Sequence, residues 1–238
     1  MPHADRSVPL VSLVVRWPNS VPAAVADQLA RRLSDAHLSA TWAIEEPAQA
    51  GALEARAAGS AEITSALFVA ASGSPSAAID TGLSKFQKAG VPIQAVQMDA
   101  KLARGSFERR LCQAGVRAVV ASPTSAKSSL VRPLPFGVWE LGPHVVIPPR
   151  RKLLGLLSGS PQPIIRAADP SPAIASIDIA RIGAANGGNW RSVDQLIDDA
   201  ASHAAAGAAR IVSIAEIAAE LAGVAAPRPQ RSILRAAA

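Results

Sequence analysis

Sulfur and aromatic side chains are scarce in this chain. A single cysteine, Cys112, rules out an intrachain disulfide and a cysteine-based zinc site, and its mixed apolar and charged surroundings read as a helix in which it is a small buried hydrophobe. Tyrosine is absent and aromatics make up 3% of residues, so there is no stacking platform for single-stranded nucleic acid. The net charge of +6 comes from scattered arginines rather than from a dense block, which reads as a solvated basic surface and gives nucleic-acid binding little support. No stretch approaches the length of a membrane span. The opening MPHADRSVPLVSLVV lacks the long apolar region and small-residue cleavage site of a secretory signal, and cytoplasmic residence is the expectation. A Walker loop, a dinucleotide fingerprint and a Gly-x-Ser-x-Gly elbow are all missing, which removes the commonest nucleotide and serine-hydrolase readings.

What is abundant is alanine, in a chain that is 49% apolar. That supports a sizeable core of helices packed closely on strands. No linker-like run divides the 238 residues, so the expectation is one domain over residues 1–226 followed by a basic, solvated tail over residues 227–238.

Short β-branched runs alternate with helical patterns. Leu10 to Val15, between Pro9 and Pro18, reads as a buried parallel strand. Ser20 and Pro22 open a helix in which Val21, Val25, Leu29 and Leu33 recur along one face to near His37. A second strand over Leu38 to Ile44 follows, then a helix from Pro47 to Ala58, then a strand within AAGSAEITSALFVAAS from Ala57 to Ser72. Ser74 and Pro75 cap a helix that Gly90 stops. Val91 to Met98 reads as a fourth strand, Lys101 to Ala114 as a fourth helix and Val116 to Ala121 as a fifth strand, so right-handed βαβ units and a parallel sheet are implied. Residues 122–149 break the rhythm with Pro, Ser and Gly around two short β-like pieces, Val138 to Leu141 and His144 to Ile147. Beyond them come a short helix over Arg150 to Leu157, an inner strand over Ile174 to Ile179 and a turn at ANGGN. Ser192 with Gln195 reads as a capping box for the next helix, and Ser213 with Glu216 caps a terminal one.

Three of these phrases resemble the polysaccharide deacetylase (NodB homology) family. Gly59, Glu62, Ile63 and Ser65 match the opening of a strand like Gly-His-Glu-Ile-Gly-Ser-His. Ala40 and Thr41, with the aromatic Trp42, match a Lys-Ala-Thr-Phe-Phe-Val strand, and Gly207 with IVSIAEIAAEL follows the family's closing order. The resemblance covers nearly the whole chain and implies a distorted TIM barrel of the (β/α)7 type, with parallel strands and outer helices. It also implies chemistry at the C-terminal strand ends, and there the family's metal and proton-shuttling residues are replaced. Its two metal histidines correspond to Ala66 and Ala70. Its first-strand Asp pair corresponds to the region of Arg16, Trp17, Asn19 and Ser20, and its late Leu-x-His to Ile177, Asp178 and Ile179. A methyl group offers no lone pair to a metal, so no metal and no cofactor are expected.

The remaining candidates are few. Asp99 and Asp178, both at strand ends, could face each other across the mouth as an acid/base pair, with ion pairs to Lys101, Arg104 or Arg181 as the simpler role. Glu45 and Glu46 are adjacent and point apart. Arg16, Trp17, Asn19 and Trp190 are the residues expected to bind a ligand, with indoles available to stack on a sugar ring. The four histidines, His3, His37, His144 and His203, have no ligand-like spacing. The leading reading is a deacetylase-like barrel that has lost catalysis and binds carbohydrate or a partner protein. The alternatives are a carbohydrate hydrolase or esterase with a relocated, metal-free acid/base site, and a structural protein whose Ala-rich outer helices form an oligomer.

Overall fold

A computed structural model describes residues 8–55, 63–70, 74–98, 107–121, 131–143, 145–147, 172–183 and 190–225. Asp99, Gly59, Glu62, His3 and His144, the helix expected at 150–157, the ANGGN turn and the tail at 227–238 lie outside the described residues.

The strands are β1 (Leu10–Trp17), β2 (Ala40–Ile44), β3 (Ile63–Val69), β4 (Ala95–Met98), β5 (Ala118–Val120), β6 (Val131–Pro133), β7 (Trp139–Leu141), β8 (Val145–Ile147), β9 (Ala173–Asp178) and β10 (Arg210–Ile211). They form one sheet in the order β6-β7-β5-β4-β3-β2-β1-β9-β8, with β10 wedged beside the start of β1. Every pairing is parallel except β6 with β7. The result is a mixed α/β fold whose mostly parallel sheet curls into an open half-barrel. β6 was not expected: three residues ending in a proline carry too little strand signal, and Pro133 is tolerable only because β6 lies at the sheet edge.

Strand alternation sorts side chains into two layers. Val11, Leu13, Val15 and Trp17 of β1 face outward into the larger core. There they meet α1 (Ala23–Asp35), α2 (Pro47–Glu54), α3 (Pro75–Lys88), α4 (Glu108–Gln113) and α6 (Trp190–Ala205). Helix α1 buries Ala26, Leu29, Ala30 and Leu33, a stripe at helical spacing. Helix α3 comes close to β3 because Gly82 has no side chain: a Cβ there would lie 2.7 Å from Leu67 Cδ2. Helix α6 begins at Trp190, so Ser192 lies within its first turn rather than at its cap.

The inner layer is smaller. Ala43, Ala66, Ala95 and Ala118 occupy one register row across β2, β3, β4 and β5, and all four are buried. Four methyl groups leave space inside the curl, and the closing helix α7 (Ile214–Ala225) fills it with Ile214, Ile217 and Ala218. The helix is held in place at its start, where Ser213 N–H donates to Glu216 Oε2 at 2.7 Å and Glu216 N–H donates to Ser213 Oγ at 3.2 Å, the expected capping box. Ile214 N–H donates to Thr41 Oγ1 at 3.1 Å, which ties the plug to β2.

Candidate functional site

Toward the C-terminal ends of the strands the inner face carries polar and charged side chains, with Arg16 in register with Ala43 of the alanine row. Arg16 and Asp178 are register partners on β1 and β9, so alternation sends both inward, and Arg16 Nη1 lies 3.6 Å from Asp178 Oδ2. Arg181, one turn along α5 (Ile179–Gly183), brings Nε to 3.1 Å from the same oxygen. The other oxygen, Oδ1, accepts the Ala180 N–H at 3.2 Å. The Arg16 guanidinium lies over the Phe68 ring, 4.3 Å from its centroid, a geometry worth about 0.5–2 kcal/mol. Gln97, in register with Phe68 on the next strand, reaches across the curl to place Nε2 at 3.5 Å from Ser176 Oγ. Its Oε1 is buried and has no hydrogen-bond partner, as is Ser12 Oγ. A buried amide oxygen without a partner costs roughly 1–3 kcal/mol.

A second set of bonds fixes the rim. Gln49 is buried; its Nε2 donates to the Trp17 carbonyl at 3.0 Å, and its Oε1 accepts the N–H groups of Glu45 and Glu46 at 2.9 Å each. This side chain therefore joins the ends of β1 and β2. Glu45 Oε2 accepts the Asn19 N–H at 2.8 Å, whereas Glu46 pairs with Lys85. The two adjacent acids point apart, as expected.

The expected ligand residues are only partly gathered. Arg16 lies at the mouth and exposed Asn19 lies on the rim. Trp17 does not join them: β1 runs two residues past Val15, and alternation turns the indole outward, where it is 3% exposed. Its Nε1 donates to the Val21 carbonyl at 3.2 Å, and it meets Trp42 edge-on at 6.2 Å. Trp190 is also in the outer layer, covered by the Arg32 guanidinium at 4.5 Å. Trp139 opens β7, within the β-like piece expected at Val138 to Leu141. Asp178 takes the ion pair with Arg181, and Asp99 lies outside the described residues. Sequence reasoning missed Phe68, Gln97 and Ser176, although period-two alternation from Ala66 and Ala95 would have turned Phe68 and Gln97 inward.

Of this cluster, Phe68, Gln97, Ser176 and Asp178 are buried and Arg16 is half-buried. A general base must aim a lone pair at the proton it removes, whereas both oxygens of Asp178 are engaged by guanidinium or backbone donors. Among the described residues, no group of three or more His, Cys, Asp or Glu side chains is placed to hold a metal. Ala66 lies within the inner core and Ala70 is exposed at the strand end. Replacing Asp178 with Ala should leave both arginines without this acceptor and α5 without its first-turn bond. With the guanidiniums about a quarter exposed, the expected loss is about 1–3 kcal/mol, read as a lower urea midpoint with an unchanged slope.

No protein-family model matches the chain, and no curated protein matches its sequence. Among solved structures it is similar to a 4-alpha-glucanotransferase from Thermococcus litoralis, with 12% identity and a TM-score of 0.51 over 90% of this chain and 40% of that one. It thus spans about two fifths of that enzyme's length. A candidate polysaccharide deacetylase involved in O-antigen biosynthesis from Bordetella bronchiseptica aligns with 12% identity and a TM-score of 0.48 over 79% of this chain and 78% of that one. A family 4 acetyl xylan esterase from Clostridium thermocellum, in complex with a cobalt ion, aligns with 11% identity and a TM-score of 0.44 over 90% of this chain and 92% of that one. At such identities the likeness to the glucanotransferase is one of fold alone.

Proposed function

We propose that this chain is a catalytically degenerate polysaccharide deacetylase-like protein that binds carbohydrate at the mouth of its half-barrel without a metal ion. The observation that carries the reading is the strand-end chemistry: where a deacetylase-like barrel would need carboxylate and imidazole donors, the inner face presents Arg16, Phe68, Gln97 and an Asp178 already bound to two guanidiniums. Guanidiniums, an amide and an aromatic edge are the groups that bind sugar hydroxyls and acyl oxygens. The sequence resemblance to the deacetylase family supports the carbohydrate class. A metal-free hydrolase using Asp178 has less support, because its carboxylate has no oxygen left unengaged. The proposal takes residues 1–226 as one unit and places it in the cytoplasm. No helix among the described residues is long and apolar enough to cross a membrane.

The test pairs binding with turnover. Titration calorimetry with N-acetylated and O-acetylated sugar oligomers should give saturable heat while no acetate accumulates. Replacing Arg16 with Gln should weaken the affinity about tenfold or more, the scale of a lost charged contact in a partly desolvated site. Acetate release by the natural chain, or no binding to any oligomer, would overturn the reading.

A further inference from the structure

β2 and β3 end side by side at the C-terminal edge of the sheet, with Ile44 and Leu67 in register. Beyond that pair a groove of about 450 Å³ opens between the end of β3 and α3. The volume falls within the roughly 300–1,000 Å³ of small-molecule sites. Phe68, Ala70 and Ala77 are among its apolar walls, and Glu45, Thr81 and Lys85 among its polar ones.

Glu45 is the one side chain here that is both fixed and incompletely bonded. Its backbone N–H donates to Gln49 Oε1 at 2.9 Å, and its Oε2 accepts the Asn19 N–H at 2.8 Å. These bonds come from two different strand ends, so the carboxylate is held in one place without a cost on ligand binding. Oε1 takes no hydrogen bond and no ion pair from any described residue. Lys85 on the same wall does not compete for it, because its ammonium pairs with Glu46. This sets Glu45 apart from Asp178, both of whose oxygens are engaged. A carboxylate only accepts, so a partner for Oε1 must bring a donor. Beside it the exposed methyl groups of Ala70 and Ala77 offer an apolar surface. A sugar ring carries both features, hydroxyl donors on its rim and a C–H face. Phe68 connects this groove to the mouth: it borders the groove, and its ring lies under the Arg16 guanidinium at 4.3 Å.

We infer that the groove between β3 and α3 is a second sugar subsite, in which Glu45 Oε1 accepts a hydroxyl from one unit of a glycan whose neighbouring unit lies at Arg16. This subsite rests on the reading of the mouth as a carbohydrate site and adds to it a requirement for chain length. A single sugar can occupy only one of the two positions, whereas an oligosaccharide fills both and gains the Glu45 contact without a second loss of translational freedom.

The test compares N-acetylglucosamine with its tetrasaccharide by titration calorimetry on the full chain. The natural chain should bind the tetrasaccharide about tenfold or more tightly than the monosaccharide, the scale of one hydrogen bond to a charged group. Glu45→Ala removes the acceptor and Ala77→Trp fills the groove from an exposed position on the opposite wall. In each variant the ratio of the two affinities should fall to within about twofold of one. Two variants on different elements keep the test decisive if the loss of the Asn19 bond disturbs the rim in the first. Equal binding of the two sugars by the natural chain would overturn the subsite and leave the mouth reading standing. An Ala77→Trp variant that keeps the tetrasaccharide preference would also overturn it. Absence of binding to either sugar would overturn both readings.

Discussion

Ala66→His is expected to lower the stability of the fold by about 2–5 kcal/mol, because it adds an imidazole to a filled interior and buries ring nitrogens without partners. Ala66 is 1% exposed and packs in the inner cluster with Ala95, Ala118 and Ile217. The neighbouring substitution Ala70→His lies at an exposed strand end and should change stability by less than about 0.5 kcal/mol. The double variant supplies two imidazoles but no site. Arg16, in the region where a first-strand carboxylate would stand, repels a divalent ion. At about 4 Å and an effective dielectric of about 20, that repulsion is on the order of 4 kcal/mol per unit charge. Urea unfolding should therefore show the loss for each variant carrying Ala66→His, and acetate assays with added zinc should show no turnover. A double variant as stable as the natural chain, or one that releases acetate, would mean that the inner row is a vacated metal site rather than packing.

The same interior predicts the effect of truncating the plug. Ile217→Ala should cost about 2–5 kcal/mol, the range for deleting three buried carbons in a core that relaxes only partly. Ile217 is fully buried, and the alanine row that faces α7 has no longer side chain with which to fill the void. For a chain of this length the expected fall in Tm is roughly 5–15 °C. A fall of only a degree or two would place α7 on the outside of the curl as a dispensable cover.

Much of this architecture is legible in the sequence. Strands β1 to β5 and β9 stand out as short β-branched or apolar runs between helical patterns, and their parallel pairing follows from the helix lengths between them. The four alanines are harder to read. Each scores only as apolar, and nothing local says that Ala43, Ala66, Ala95 and Ala118 share one row, since register is a property of the assembled sheet. Helix α7 is apolar on most faces, so its sequence does not tell whether it covers the sheet or plugs it. Trp17 illustrates the cost of a boundary error: ending β1 at Val15 makes the indole a loop residue at the mouth, whereas two more strand residues turn it into the outer core. The Arg16–Asp178 contact was half visible, since both residues were singled out, but only the β1–β9 pairing makes them neighbours.

The claim that the mouth binds ligand without a metal ion is tested most directly by elemental analysis of the chain purified without chelator and then equilibrated with zinc, cobalt or nickel and desalted. The account predicts no stoichiometric transition metal in either sample, and unchanged binding of sugar oligomers after exposure to the metals. One equivalent of tightly held zinc, cobalt or nickel would contradict it.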